Sequence, residues 1–157
     1  MRFCLLDRIC GYEADKELTS VKSVSLAEEY LADHFPQFPV LPGVFMLESA
    51  TQSAAWLVRL SEDFAHSIVE LEEARSVKFT DFVSPGRTLR MQIEQVGREG
   101  ELAKFKFQGE VDQQPCVSGR LTLRVSNLAE TDARLADLDA RMIQYQRAQC
   151  SLLISKS

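Results

Sequence analysis

The chain has little of what marks several functional classes. It holds two histidines and four cysteines, at positions 4, 10, 116 and 150, with no metal-ligand spacing among them. No metal site is therefore expected, and four cysteines in 157 residues make no disulfide framework. Basic residues do not outnumber acidic ones. Eighteen against 23 give a net charge of -5, which leaves a nucleic-acid partner without electrostatic support. No apolar run is long enough to span a bilayer, and the first eight residues, Met-Arg-Phe-Cys-Leu-Leu-Asp-Arg, are too short an apolar run for a secretion signal. The expectation is a cytoplasmic protein with no membrane partner. Prolines are few as well, but three of the five, Pro36, Pro39 and Pro42, fall within seven residues. What remains is ordinary for a globular domain: 45% hydrophobic and 26% charged residues, on a chain of a length that suits one core.

The proline cluster opens the most informative stretch. Each proline fixes its own φ and pushes the preceding residue out of the helical region, so residues 34–42 should form a stiff, extended connection carrying His34. From Gly43 to Leu60 the chain is apolar on nearly every face and free of proline, which predicts a helix enclosed by other structure. Glu48 lies inside it, among Val44, Leu47, Thr51, Gln52 and Ala55. A carboxylate buried there needs a partner or a chemical purpose. Gln52, one turn on, can hydrogen-bond to it. The pair can thus be a satisfied structural contact or part of an active site, and His34 by itself can be a simple loop residue.

Spacing joins these residues. His34-Phe35-Pro36, Pro39-Val40, Pro42-Gly43-Val44, Leu47-Glu48-Ser49-Ala50 and Gln52 together resemble the signature of hot-dog-fold 3-hydroxyacyl-[acyl-carrier-protein] dehydratases, with the glutamate of the branch that only dehydrates. The likeness extends over about residues 3–127. Phe3 to Ile9 is similar to the family's first strand, Val21 to Ser25 to the strand before the active-site loop, Ala74 to Phe79 to the strand after the helix, and Val83 to Leu89 to its Pro-Gly turn. Four departures accompany it: no proline-containing segment before the first strand, Asp33 in place of a common glycine, Ser49 and Thr51 in place of smaller or more apolar residues, and residues 128–157 without counterpart.

The remaining pattern is consistent with an α+β, hot-dog architecture in which an antiparallel sheet wraps one long buried helix. Strands are expected at 3–10 and 16–25, at 68–79 with a bend at Glu72-Glu73, and at 89–96, 102–107 and 116–125. A turn is expected at Pro85-Gly86 and a hairpin at Gly97–Gly100. Ser25 should cap a short helical turn before His34. Cys4 and Cys10 fall on an apolar strand pattern and read as core thiols. His66 shows no partner and is expected at the surface. Two units follow: a domain at 1–127 and an extension at 128–157. Asn127 with Glu130 forms a capping-box-like start to the extension. Leu128, Leu135, Leu138, Met142, Tyr145 and Leu152 then make a narrow amphipathic seam, expected to pack on its own domain in preference to a subunit interface.

The resemblance implies dehydration of a 3-hydroxyacyl thioester carried on acyl carrier protein to the trans-2-enoyl thioester, in fatty-acid synthesis or a specialised polyketide or polyene pathway. His34 would be the base and Glu48 the proton donor. The amides at Gly43 and Val44 would bind the thioester oxygen, with Gln52 beside them in the substrate site. The family also implies no cofactor and a homodimer, possibly associating further, in which histidine and acid come from different subunits. Residues 75–125 carry 9 basic and 6 acidic side chains, against 5 and 13 in residues 1–74. Arg75, Lys78, Arg87, Arg90, Lys104, Lys106, Arg120 and Arg124 are thus candidates for docking an acidic carrier protein, or simply the solvated face of a sheet. Two other functions remain open, a hot-dog protein that binds acyl chains or carrier protein without turnover, and a hot-dog thioesterase.

Overall fold

A computed structural model describes residues 3–154. Six antiparallel strands form one sheet in the order β1-β2-β4-β5-β6-β3, with β1 at Arg8–Glu13, β2 at Glu17–Ser23, β3 at Ile68–Phe79, β4 at Thr88–Glu99, β5 at Leu102–Val111 and β6 at Gln114–Ser126. Helix α1, Gly43–Ser61, packs on β2, β3, β4, β5 and β6, so the sheet curls around it. Helix α2 spans Ala136–Leu153. The fold is the hot-dog arrangement, with a second helix added at the C-terminal end.

Alternation explains the wrap. Leu89, Met91 and Ile93 on β4, Ala103, Phe105 and Phe107 on β5, and Leu121, Leu123 and Val125 on β6 all face α1 and are buried. Each such Leu, Ile or Phe contributes about 1.5–3 kcal/mol. Small residues let the helix approach: Ser49, Ala50, Ser53 and Ala54 are buried against the sheet. Their hydroxyls are satisfied, since Ser53 Oγ donates to the Ser49 carbonyl (2.7 Å) and lies 2.7 Å from Ser20 Oγ of β2.

Several sequence expectations hold. The helix ends at Ser61, β3 has the expected span, and its ladder shifts register between Leu71 and Glu73, where the two acids predict a bend. Gly86 takes φ +86° in the Pro85-Gly86 turn.

Others need correction. Residues 3–7 are not strand, and β1 begins at Arg8. Their bonds run to other elements: Asp7 N–H donates to the Val21 carbonyl (2.7 Å), and the Asp7 carboxylate meets Lys22 Nζ (3.3 Å). Cys4 and Cys10 are therefore exposed, Cys10 at the register shift between Ile9 and Gly11, and the buried thiols are Cys116 and Cys150. Ser25 does not cap a helix; its Oγ accepts from Ala27 N–H (3.2 Å), and a single 3-10 turn follows at Glu29–Ala32. The β4–β5 hairpin turns at Gly100 and Glu101, later than expected, because Gly97 is absorbed in a register shift. His66 has a partner: its Nδ1 lies 2.8 Å from Glu62 Oε2, and Arg98 reaches the other oxygen at 2.7 Å.

The C-terminal extension departs most. The Asn127–Glu130 capping box exists, but on a 3-10 turn at Leu128–Glu130, and α2 starts only at Ala136. Of the expected seam, Leu138, Tyr145 and Leu152 are exposed. The inward face is instead Asp139, Gln146, Cys150 and Leu153, a more polar set fixed by hydrogen bonds. Asp139 accepts from Ser67 Oγ and from the N–H groups of Leu128 and Ala129 (2.9 Å each). Gln146 donates to the Ser67 carbonyl (2.8 Å), and Arg147 pairs with Asp63 (2.9 Å) over the Phe64 ring. The helix does pack on its own domain, through residues whose polarity hid them.

Candidate active site

His34 opens the proline-rich loop, which is folded back in a turn at residues 35–38 and not extended as expected, because its backbone groups bond to one another. Val40 N–H donates to the His34 carbonyl (2.9 Å), Leu41 N–H to the Val83 carbonyl (2.8 Å), and Phe35 and Phe38 exchange backbone hydrogen bonds at 3.1 and 3.0 Å. The half-buried imidazole stacks on Phe35 and places Nδ1 3.1 Å from the Val40 carbonyl. A carbonyl only accepts, so this contact assigns the proton to Nδ1 and leaves the Nε2 lone pair free to take another.

Helix α1 is not enclosed on all sides. Val44, Glu48, Gln52 and Arg59 recur at spacings of four, four and seven, which aligns them on one outward stripe, with the buried Ala55 between the last two. Val44 is 64% exposed, and Glu48 is exposed too, contrary to the expectation of burial within one chain. The Glu48–Gln52 contact does form: Gln52 Nε2 donates to Glu48 Oε1 at 2.9 Å. The same amide donates to the Phe3 carbonyl (3.0 Å) and accepts from Leu5 N–H (2.9 Å). Gln52 thus fixes both the acid and the N-terminal segment with one side chain, and its amide is already engaged on both sides.

At the start of α1, the Phe45 and Met46 N–H groups bond to the Pro42 carbonyl, while those of Gly43 and Val44 have no acceptor among the described residues. The space above Gly43 is occupied by the Phe79 ring of β3, which a methyl group there would meet at 3.2 Å. Phe35, Phe38, Val44, Phe79 and Phe82 are all exposed, with Phe38 and Phe82 edge to face.

A cavity of about 520 Å³ runs along the outward stripe, bounded by Glu48, Gln52, Trp56 and Arg59 of α1, by Phe3, Cys4, Leu6 and Asp7, and by Tyr145, Gln149 and Leu153 of α2. His34 does not line it. Nothing in the pattern of the extension pointed to the wall that α2 supplies; only the placement of Asp139 and Gln146 against Ser67 brings it there. Among the described residues no group of three or more His, Cys, Asp or Glu side chains is arranged to hold a metal. Of the eight cations proposed for docking, Arg75, Arg87, Arg90, Lys104 and Arg124 are paired with acids on the sheet. Lys78, Lys106 and Arg120 have no acidic partner among the described residues. No helix among the described residues is long and apolar enough to cross a membrane.

An antiparallel hot-dog sheet around a helix that carries an acid, preceded by a histidine loop, defines a thioester-processing class of protein. Comparison with known proteins narrows it. Residues 12–120 match the ApeI-like family, described as ApeI dehydratase, and the chain belongs to that dehydratase family. It is 34% identical over 134 residues to the 3-hydroxyacyl-[acyl-carrier-protein] dehydratase FabZ of Janthinobacterium sp. (strain Marseille), covering 82% of this chain and 86% of the relative. It is equally 34% identical over 123 residues to FabZ of Streptococcus mutans, covering 78% and 87%. Among solved structures, the dehydratase heterocomplex ApeI:P from Xenorhabdus doucetiae superimposes with a TM-score of 0.68 at 21% identity, over 85% of this chain and 90% of that one. A Streptococcus mutans protein bound to acetyl CoA, smu.793, gives 0.59 at 14% identity over 76% and 87%. These structures share the fold.

Proposed function

We propose that the protein removes water from 3-hydroxyacyl thioesters borne on acyl carrier protein, giving trans-2-enoyl thioesters in the cytoplasm. The observation that carries this is the disposition of three groups: an imidazole pinned through Nδ1, an acid held by Gln52, and two unbonded amides at the start of the same helix. His34 Nε2 takes the C2 proton, and Glu48, in its protonated form, gives a proton to the hydroxyl leaving C3, so one water departs. The Gly43 and Val44 N–H groups donate to the thioester oxygen and stabilise the negative charge that develops on it, helped by the positive end of the helix dipole. Gln52 acts by positioning Glu48. Residues 1–127 form the catalytic domain, and 128–157 an extension that contributes to the substrate cavity.

The cavity holding Glu48 lacks His34, which favours a homodimer in which His34 of one subunit faces Glu48 of the partner subunit. The exposed aromatic cluster around the helix start and the long free edge of β3 are the surfaces such a dimer would cover. That cover would also remove Glu48 from water. Lys78, Lys106 and Arg120 remain available to an acidic carrier protein.

The test is direct. Purified protein is mixed with 3-hydroxybutyryl and longer acyl thioesters while enoyl absorbance and free thiol are followed. Enoyl formation supports the proposal, thiol release would mark a thioesterase, and binding without turnover would mark a binding protein.

A further inference from the structure

Glu48 and Arg59 lie on the same stripe of α1, eleven residues apart, which is about 16 Å along the axis and within about 20° of the same direction. Both border the 520 Å³ cavity. Arg59 is an unusual cation. It is half-buried, its Nε is enclosed, and neither that atom nor the guanidinium has a hydrogen-bond or ion-pair partner among the described residues. Its guanidinium rests 5.0 Å from the centre of the Trp56 ring, which orients it without neutralising it. Burial pushes its pKa down to about 10, with the Cys150 thiol acting in the opposite sense and no carboxylate among the described residues contributing. Lone cations are seldom left in such positions, because the lost hydration is not returned. A water could accept from Nε, but it would not balance the charge. Across the cavity, Gln146 Oε1 of α2 is also enclosed without a donor, although its Nε2 is bonded to Ser67. Between these polar atoms and Glu48 the wall is mixed, with Ala55, Trp56 and Val69 beside Thr51 and Gln52.

The geometry points to a substrate that is polar at both ends: we propose that the cavity takes a 3-hydroxyacyl chain whose far end bears a carboxylate, held by Arg59 while the thioester end lies at Glu48. The guanidinium fork matches a carboxylate in two-point contact. The assignment rests on the dehydratase proposal for its reacting end, and on Arg59 alone for its far end.

The two can fail separately. Matched 3-hydroxyacyl pantetheine thioesters, of a length suited to the Glu48–Arg59 separation, are prepared with a terminal methyl or a terminal carboxylate and offered to the full-length protein. The expected result is a kcat/KM at least tenfold higher for the carboxylate-ended substrate, a ratio that falls to one or below in Arg59→Met and is partly kept in Arg59→Lys. Turnover of the methyl-ended substrate with no preference for the carboxylate overturns this inference and leaves the dehydratase proposal standing. If neither is turned over, the dehydratase proposal fails, and binding of the saturated, unreactive counterparts decides the rest. Trp56, the one tryptophan of the chain, lies in the cavity and reports it by fluorescence. Tighter binding of the carboxylate-ended form by at least tenfold supports the inference, and equal binding overturns it. A preference that follows a phosphate on the pantetheine arm, and not the acyl carboxylate, overturns it as well. Should Arg59→Met not fold, Arg59→Gln and the wild-type binding ratio carry the same decision.

Discussion

Replacing Gln52 by alanine tests how the acid is held. The side chain makes three hydrogen bonds: from Leu5 N–H at 2.9 Å, to the Phe3 carbonyl at 3.0 Å and to Glu48 Oε1 at 2.9 Å. Leu5 is 2% exposed, so its N–H would be left with no acceptor and no ready access to water, a loss of about 1–3 kcal/mol. The other two bonds are more exposed and add about 1 kcal/mol between them. A total of about 2–4 kcal/mol corresponds to a fall in Tm of roughly 5–15 °C for a chain of this length. Gln52→Glu separates the effects. It keeps an acceptor for Leu5 but sets two carboxylates one turn apart, so its stability loss should be smaller and should lessen as acid protonates the pair. Thermal and urea unfolding of the three proteins, with dehydration rates measured in parallel, would show both. If Gln52→Ala unfolds within about 0.5 kcal/mol of wild type, the three-bond account of this residue is wrong.

Other expectations are simpler to state. His34→Ala and Glu48→Gln should each lower kcat by about 10²–10⁴-fold with unchanged unfolding curves; a wild-type rate in either removes that residue from the chemistry. A methyl group at Gly109 would meet Val117 Cγ1 at 2.6 Å and Leu89 Cδ1 at 3.0 Å, so Gly109→Ala should lose about 1–3 kcal/mol in urea unfolding. Burial acts to raise the Asp139 pKa, but the bonds from Ser67, Ala129 and Leu128 outweigh it and hold the carboxyl below its ordinary value. A depressed folded pKa gives stability that is present above the unfolded value and lost as pH falls through the folded one. Hydrogen exchange should therefore show α2 loosening below about pH 4, a step absent from Asp139→Asn. Lys22, nearly buried between Asp7 and Glu28, has its pKa raised: burial opposes this, but the two carboxylates prevail. Its contribution should persist through neutral pH and fade only above about pH 10.5, which alkaline unfolding of wild type and Lys22→Met would reveal.

Chemical punctuation made the loop and first helix legible. Three prolines and a glycine bracket His34 and start α1 where expected, and alternation located the strands from β3 onward to within a few residues. The errors share a cause: a hydropathy pattern says which residues avoid water but not which neighbour excludes it. Residues 3–7 are apolar enough for a strand, yet their partners are Gln52, Val21 and Lys22, all distant in sequence. In the extension, apolar residues at alternating spacings of three and four suggest a seam, whereas Asp139 and Gln146 dock α2 by satisfying Ser67 and the preceding turn. Glu48 looked buried because its helix is apolar, but within one chain the stripe containing it faces outward. Arg59 carried no signal in the sequence beyond being a lone cation in that helix.

Helix α2 lies outside the residues that match the family, and it walls the cavity while contributing little to the sheet that surrounds α1. The wall of the cavity and the sheet that holds α1 thus come from different stretches of chain. If the proposed function holds, substitution of the exposed Leu152 would alter the wall of the substrate cavity while leaving the sheet around α1 untouched, so specificity could be retuned without rebuilding the fold.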